Sequence, residues 1–192
     1  MGGGGIIAIT GRPQSGKSTL ARAVVRRLRA RGVAALALDG DAVRGALVPP
    51  PGYGEAEREA FYATLANLAG LLAAQGAWVA VAATQPFRRH REQLRARAPR
   101  SLEVFVDATR EECQARDSKG LYARFREGLA PALPGAGVPY EAPERPDVVA
   151  GGGWDARAVK AVVRAALRPA RRRRPASAPG RSPTGRAARP GT

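Results

Sequence analysis

The 192-residue chain contains one cysteine, Cys113, and one histidine, His90. A lone thiol excludes a disulfide framework, and a lone imidazole excludes a histidine-based metal cluster. Both suit a reducing compartment, so a cytoplasmic setting is expected. Aromatic residues make up only 5% of the chain, which leaves the core to aliphatic side chains. No apolar run approaches the ~20 residues of a membrane span. The glycine stretch Gly2–Gly5 is followed only by Ile6-Ile7-Ala8-Ile9 before polar residues begin, too short for the apolar region of a secretory signal. Acidic residues are absent from 169–192, which holds Arg171, Arg172, Arg173, Arg174, Arg181, Arg186 and Arg189. A net charge of +16 would suggest nucleic acid if it covered a folded face. Much of it sits instead in this Pro-, Gly-, Ser- and Arg-rich segment, which has no apolar periodicity. The expectation is one domain over 1–168 and a disordered, solvated tail over 169–192 with no specific partner, weak polyanion contact being the alternative; no specific nucleic acid and no membrane are expected.

What is present begins with Gly11-Arg12-Pro13-Gln14-Ser15-Gly16-Lys17-Ser18-Thr19. It fits the phosphate-binding loop G-x-x-x-x-G-K-[S/T] without a mismatch. Ile6 to Thr10 before it reads as a buried strand, and Leu20 to Arg31 after it has helical spacing, with Gly32 as its stop. Strand, glycine loop and helix make a nest of backbone N–H groups at a helix N-terminus, where the dipole favours anions. Gly11, Gln14, Ser15, Gly16, Lys17, Ser18 and Thr19 are therefore the expected ATP-binding residues. Lys17 reaches the β- and γ-phosphates, and the Ser18 hydroxyl ligates Mg²⁺.

Further along, strand and helix alternate. Strands are expected at Val33–Leu38, Trp78–Ala83, Leu102–Val106 and Asp147–Val149. Helices are expected at Glu55–Gln75, Arg88–Ala98, Thr109–Arg116 and Asp155–Leu167. Asp117 to Gly137, rich in Arg, Gly and Pro, reads as a mobile lid. The pattern predicts an α/β three-layer sandwich, with a five-stranded parallel sheet of the phosphate-loop small-kinase type. In such sheets ligands bind at the carboxyl ends of the strands. That places Asp39-Gly40-Asp41, Thr84-Gln85-Pro86-Phe87-Arg88 and Asp107 near the chemistry. Asp39 stands where a carboxylate can hold a Mg²⁺-bound water or take the acceptor's proton, although a strand-end aspartate can equally serve only to form a turn. Arg44, Arg58, Arg88 and Arg91 are candidates to bind an anionic acceptor.

Three blocks carry a resemblance. Leu38-Asp39-Gly40-Asp41-Ala42-Val43-Arg44 is similar to the L-D-G-D-N-V-R signature of adenylylsulfate kinases. Cys113-Gln114-Ala115-Arg116-Asp117-Ser118-Lys119-Gly120-Leu121-Tyr122 resembles that family's C-x-x-R-D-x-K-G-L-Y. Pro139-Tyr140-Glu141-Ala142-Pro143-Glu144 matches its P-Y-E-x-P-E. The resemblance implies transfer of the ATP γ-phosphate to the ribose 3′-hydroxyl of adenosine 5′-phosphosulfate, in sulfate activation, by a homodimer. By position it implies Lys17 and Asp39 as catalytic, Ser18 and Asp39 as metal-linked, and Arg116 near ATP. It implies Asp41, Arg44, Tyr53, Arg58, Phe87, Arg88, Lys119 and Leu133 around the acceptor.

The departures fall on the acceptor side. Where the family has D-R-x-x-N-I-R-R, the chain has Glu57-Arg58-Glu59-Ala60-Phe61-Tyr62-Ala63-Thr64, so Phe61 replaces an asparagine. Gln85 replaces a serine sometimes assigned as a phosphorylated intermediate. Leu133 replaces a phenylalanine that stacks on the substrate adenine, a contact worth ~0.5–1.5 kcal/mol. A kinase for another small hydroxyl metabolite and a non-catalytic nucleotide-binding protein remain open on these residues.

Overall fold

The computed structural model describes residues 4–130, 132–152 and 154–168. The elements run β1 (Gly5–Thr10), α1 (Lys17–Arg29), β2 (Ala35–Asp39), α2 (Gly40–Ala46), α3 (Glu55–Ala74) and β3 (Trp78–Ala82). They continue α4 (Arg88–Arg95), β4 (Ser101–Asp107), α5 (Arg110–Ala115), α6 (Leu121–Arg126), β5 (Val148–Gly151) and α7 (Ala156–Leu167). The strands form one parallel sheet in the order β2-β3-β1-β4-β5.

The central strand β1 is buried along its whole length, and its alternation splits the core in two. Ile7 and Ile9 pack with Leu20, Val24 and Leu28 of α1 and Val159 and Val162 of α7. Ile6 and Ala8 face the other way, onto Phe61 and Leu65 of α3 and Leu94 of α4. Helices thus cover both faces, as the alternating pattern predicts. A third apolar cluster, Cys113, Tyr122 and Leu133 with Ala108, belongs to the segment beyond β4.

Several boundaries move. β2 begins at Ala35 rather than Val33, because the Val33 N–H still donates to Leu28 O at 3.2 Å to finish α1. α4 ends at Arg95 rather than Ala98, and β5 covers Val148–Gly151 rather than Asp147–Val149. Two helices appear where loop was expected. α2 follows β2 directly, and α6 lies inside the segment 117–137 read as a mobile lid. The proposed tail at 169–192 lies outside the described residues.

Candidate active site

The phosphate loop sits between β1 and α1 at the carboxyl end of the sheet. Gly11 has φ of 153°, and a Cβ there would lie 2.7 Å from Val106 O and 2.8 Å from Ser15 Oγ. No side chain fits. The loop ends in α1, and Lys17 Nζ donates to Arg12 O at 2.6 Å. Three polar atoms of this loop are buried without a partner: Arg12 Nε, Gln14 Nε2 and Ser15 Oγ. An unsatisfied buried polar group costs ~1–3 kcal/mol. Concentrated in one glycine loop at a helix N-terminus, these groups suit a polyanionic ligand. Burial of the Lys17 ammonium pulls its pKa from 10.5 down to about 8, against the opposing pull of Asp41.

A cleft of about 1000 Å³ opens from this loop. That is the upper end of the ~300–1000 Å³ taken by a site for one drug-sized ligand. Among its lining residues are Gln14, Gly16, Lys17, Ser18, Thr19 and Arg116, together with Asp39, Asp41, Arg44, Tyr53, Arg58, Lys119 and Leu133. Gly11 and Ser15 are buried in the loop's floor.

Asp39 ends β2. Its Oδ1 accepts from the N–H groups of Asp41 at 3.1 Å and Ala42 at 3.4 Å, which caps α2. Its Oδ2 takes no hydrogen bond among the described residues, so one carboxylate shapes the turn and still offers an oxygen to the cleft. Arg58 is buried at 7% exposure, and its Nη2 donates to Tyr53 O at 3.0 Å and Ala132 O at 3.1 Å. It thereby ties α3 to the segment beyond α6. Lys119 Nζ meets Asp41 Oδ2 at 2.5 Å, and that bond raises the lysine's pKa.

The 116–122 block owes its pattern to local physics. The Asp117 carboxylate accepts from the N–H groups of Leu121, Tyr122 and Ala123, capping α6. Gly120 has φ of 62°, the left-handed turn that aims the cap. Tyr122 is buried, and its hydroxyl donates to Pro13 O at 3.3 Å, docking the segment on the phosphate loop. The 139–144 block is also structural. The Tyr140 ring stacks near Phe105, and its hydroxyl meets Thr10 Oγ1 at 2.9 Å. Glu141 accepts from the Arg88 N–H at 2.7 Å, at the start of α4.

Three expected acceptor residues lie outside this cleft. Arg88 pairs with Glu144. The Phe87 ring packs against His90 and the Arg89 guanidinium. Arg91 is buried in an ion pair with Glu103 at 2.9 Å and also donates to Gln85 O. Acids and carbonyls from elsewhere in the chain hold both arginines, which no local spacing reveals. Conversely, Arg22, Tyr62 and Arg124 line the cleft unforeseen, while Thr84 lines it as its strand-end position predicts. Arg22 stands one turn beyond Ser18 on α1, a signal the helical period carries. Tyr62, whose hydroxyl accepts from the Gln85 N–H at 3.1 Å, has no such signal.

Among the described residues, no three His, Cys, Asp or Glu side chains gather into a metal cage. A hydroxyl, Ser18, and a carboxylate, Asp39, do share the cleft. This donor set suits Mg²⁺, which keeps several waters and takes only one or two protein oxygens beside phosphate.

A family model described as adenylylsulphate kinase matches residues 3–151. The adenylyl-sulfate kinase of Deinococcus deserti is 43% identical over 148 residues, covering 77% of this chain and 82% of that protein. A Synechococcus adenylyl-sulfate kinase is 41% identical over 140 residues, covering 73% and 80%. Among solved structures, the Mycobacterium tuberculosis APS kinase CysC in complex with AMPPNP and APS superposes with a TM-score of 0.76 at 33% identity, covering 85% of this chain and 95% of that one.

Proposed function

The chain belongs to the adenylylsulfate kinase family, and from that premise we propose that it transfers the γ-phosphate of ATP to the ribose 3′-hydroxyl of adenosine 5′-phosphosulfate. The products are ADP and 3′-phosphoadenosine 5′-phosphosulfate. One observation carries the reading: Gln14, Lys17 and Ser18 of the phosphate loop and the Asp39, Arg44, Arg58 and Lys119 group line one cleft.

In this reading the 11–19 loop cradles the ATP phosphates, Lys17 lies along the β- and γ-phosphates, and Arg116 serves the nucleotide side. Ser18 would ligate Mg²⁺ and Asp39 would hold it through a bound water, and the ion would neutralise charge on the phosphates. The acceptor's 3′-oxygen attacks the γ-phosphorus as the bond to the ADP oxygen breaks. Asp39 Oδ2 takes the proton that this oxygen sheds. Arg44, Arg58 and Lys119 hold the phosphosulfate, with Asp41, Tyr53 and Leu133 around the acceptor. In-line transfer needs no phosphorylated residue, so Gln85 is no obstacle.

A kinase for a different hydroxyl metabolite is the rival reading. It is favoured by Leu133, which packs into the cluster of Cys113 and Tyr122 and offers no ring to an adenine. A coupled ADP-release assay with ATP, Mg²⁺ and either adenosine 5′-phosphosulfate or unrelated sugars and alcohols decides between them. Saturable turnover with adenosine 5′-phosphosulfate supports the proposal; turnover with another acceptor alone overturns it. A cytoplasmic homodimer completes the reading. The lone free cysteine supports the compartment. Among the described residues no helix is long and apolar enough to cross a membrane. Light scattering at twice the chain mass is the expected result for the assembly.

A further inference from the structure

Arg44 is gripped more firmly than a surface arginine. Its Nη1 donates to Pro51 O at 2.9 Å and to Gly52 O at 2.5 Å. A guanidinium Nη carries two hydrogens, so Nη1 is fully used. Its Cζ lies 3.9 Å from the Phe61 ring centroid and 4.6 Å from that of Tyr53. Phe61 is itself buried, fixed where α3 packs on the sheet. Nε and Nη2 have no partner among the described residues. That edge presents two parallel N–H bonds, the arrangement that holds an oxyanion at two points. The arginine lines the cleft together with Asp41 and Arg58.

Position 61 is where the resemblance implies an asparagine. An amide there offers hydrogen bonds but no π face. We infer that Phe61 is a positioning residue in this chain: with Tyr53 and the carbonyls of Pro51 and Gly52, it seats the Arg44 guanidinium so that the Nε–Nη2 edge faces the acceptor's phosphosulfate. The identity of that anion rests on the proposed function, whereas the seat rests on the contacts alone. The aromatic ring therefore takes over the task left by the missing amide. Phe61→Asn weakens acceptor binding; it does not restore it.

The test compares wild type, Phe61→Leu, Arg44→Lys and the double variant. Leucine keeps apolar volume and removes the ring face. Lysine keeps charge and removes the planar fork. Phe61→Leu is expected to raise KM for adenosine 5′-phosphosulfate roughly three- to tenfold, and to move KM for ATP by less than about twofold. In the Arg44→Lys background the same substitution moves the acceptor KM by less than about twofold. An equal loss in both backgrounds makes Phe61 a packing residue and overturns the inference, as does no loss at all in a folded Phe61→Leu. If wild type does not turn over adenosine 5′-phosphosulfate, the activity reading fails separately. The seat is then judged by the NMR signal of the Arg44 Nε–H group, which ring currents displace in wild type and release in Phe61→Leu. An undisplaced wild-type signal overturns it.

Discussion

Burial has drawn the Lys17 pKa down to about 8, which makes phosphate binding sensitive to alkali. An incoming triphosphate favours the charged ammonium, so above pH 8 binding must take up a proton. Affinity for ATP is complete below about pH 8 and falls as pH rises through that value, by at most about tenfold per pH unit. Calorimetric titration from pH 7 to 10 is expected to show this fall, and Lys17→Arg, charged throughout, to flatten it. Asp39→Asn separates the two duties of that residue. The amide oxygen still accepts from the Asp41 and Ala42 N–H groups and keeps α2 capped, while the proton acceptor is gone. The expected outcome is a kcat lowered by about 10²–10⁴ with ATP affinity nearly unchanged. A kcat within a few-fold of wild type would make Asp39 a turn residue. The loop residues were legible because their chemistry is local, fixed by neighbours in sequence. Arg88 and Arg91 were not, because Glu144 and Glu103 claim them from other elements. Phe61 was visible only as a departure, since its contact with Arg44 joins two helices.

The alternation of strand and helix was readable because buried parallel strands are continuous apolar runs, as in Trp78–Ala82, while the covering helices show their own period. The helices α2 and α6 were not. Each is a turn or two long and has its first N–H groups collected by an upstream aspartate, Asp39 at the N-cap of α2 and Asp117 four residues before α6, residues that read as loop until their carboxylates are seen to accept. Asp117→Ala tests what such a cap contributes. A lost cap costs ~0.5–2 kcal/mol. The α6 cluster of Cys113, Tyr122 and Leu133 is separate from the two sheet clusters, so the damage stays local. Hydrogen exchange is expected to quicken over residues 121–126, KM to rise for both substrates, and the global Tm to fall by no more than ~2–4 °C. A large cooperative loss of Tm would show instead that this segment is part of the main core.

At the scale of the molecule, the described residues that build sheet, loop and cleft all lie at or before 168. Removal of 169–192 is therefore expected to leave kcat/KM within about twofold at moderate salt; a larger drop would show that its arginines help to capture anionic substrates. Composition could propose that division of the chain, but the net charge of +16 does not say how charge is spent inside the cleft. There Lys119 and Asp41 already hold each other, both side chains more than half exposed. An exposed pair contributes about 0–1 kcal/mol. Asp41 is thus a placeholder counter-ion. Under the proposed function, the arriving acceptor takes over a cation that already has a companion, and the departing product hands it back. Such a swap conserves the number of ion pairs, so Lys119's share of acceptor affinity should be nearly indifferent to added salt. Arg44 instead gains an anion where it had none, and its share should fade as ions screen it. Acceptor KM measured against potassium chloride should accordingly keep its slope in Lys119→Ala and lose much of it in Arg44→Ala: two cations a short way apart, one trading partners and the other recruiting them.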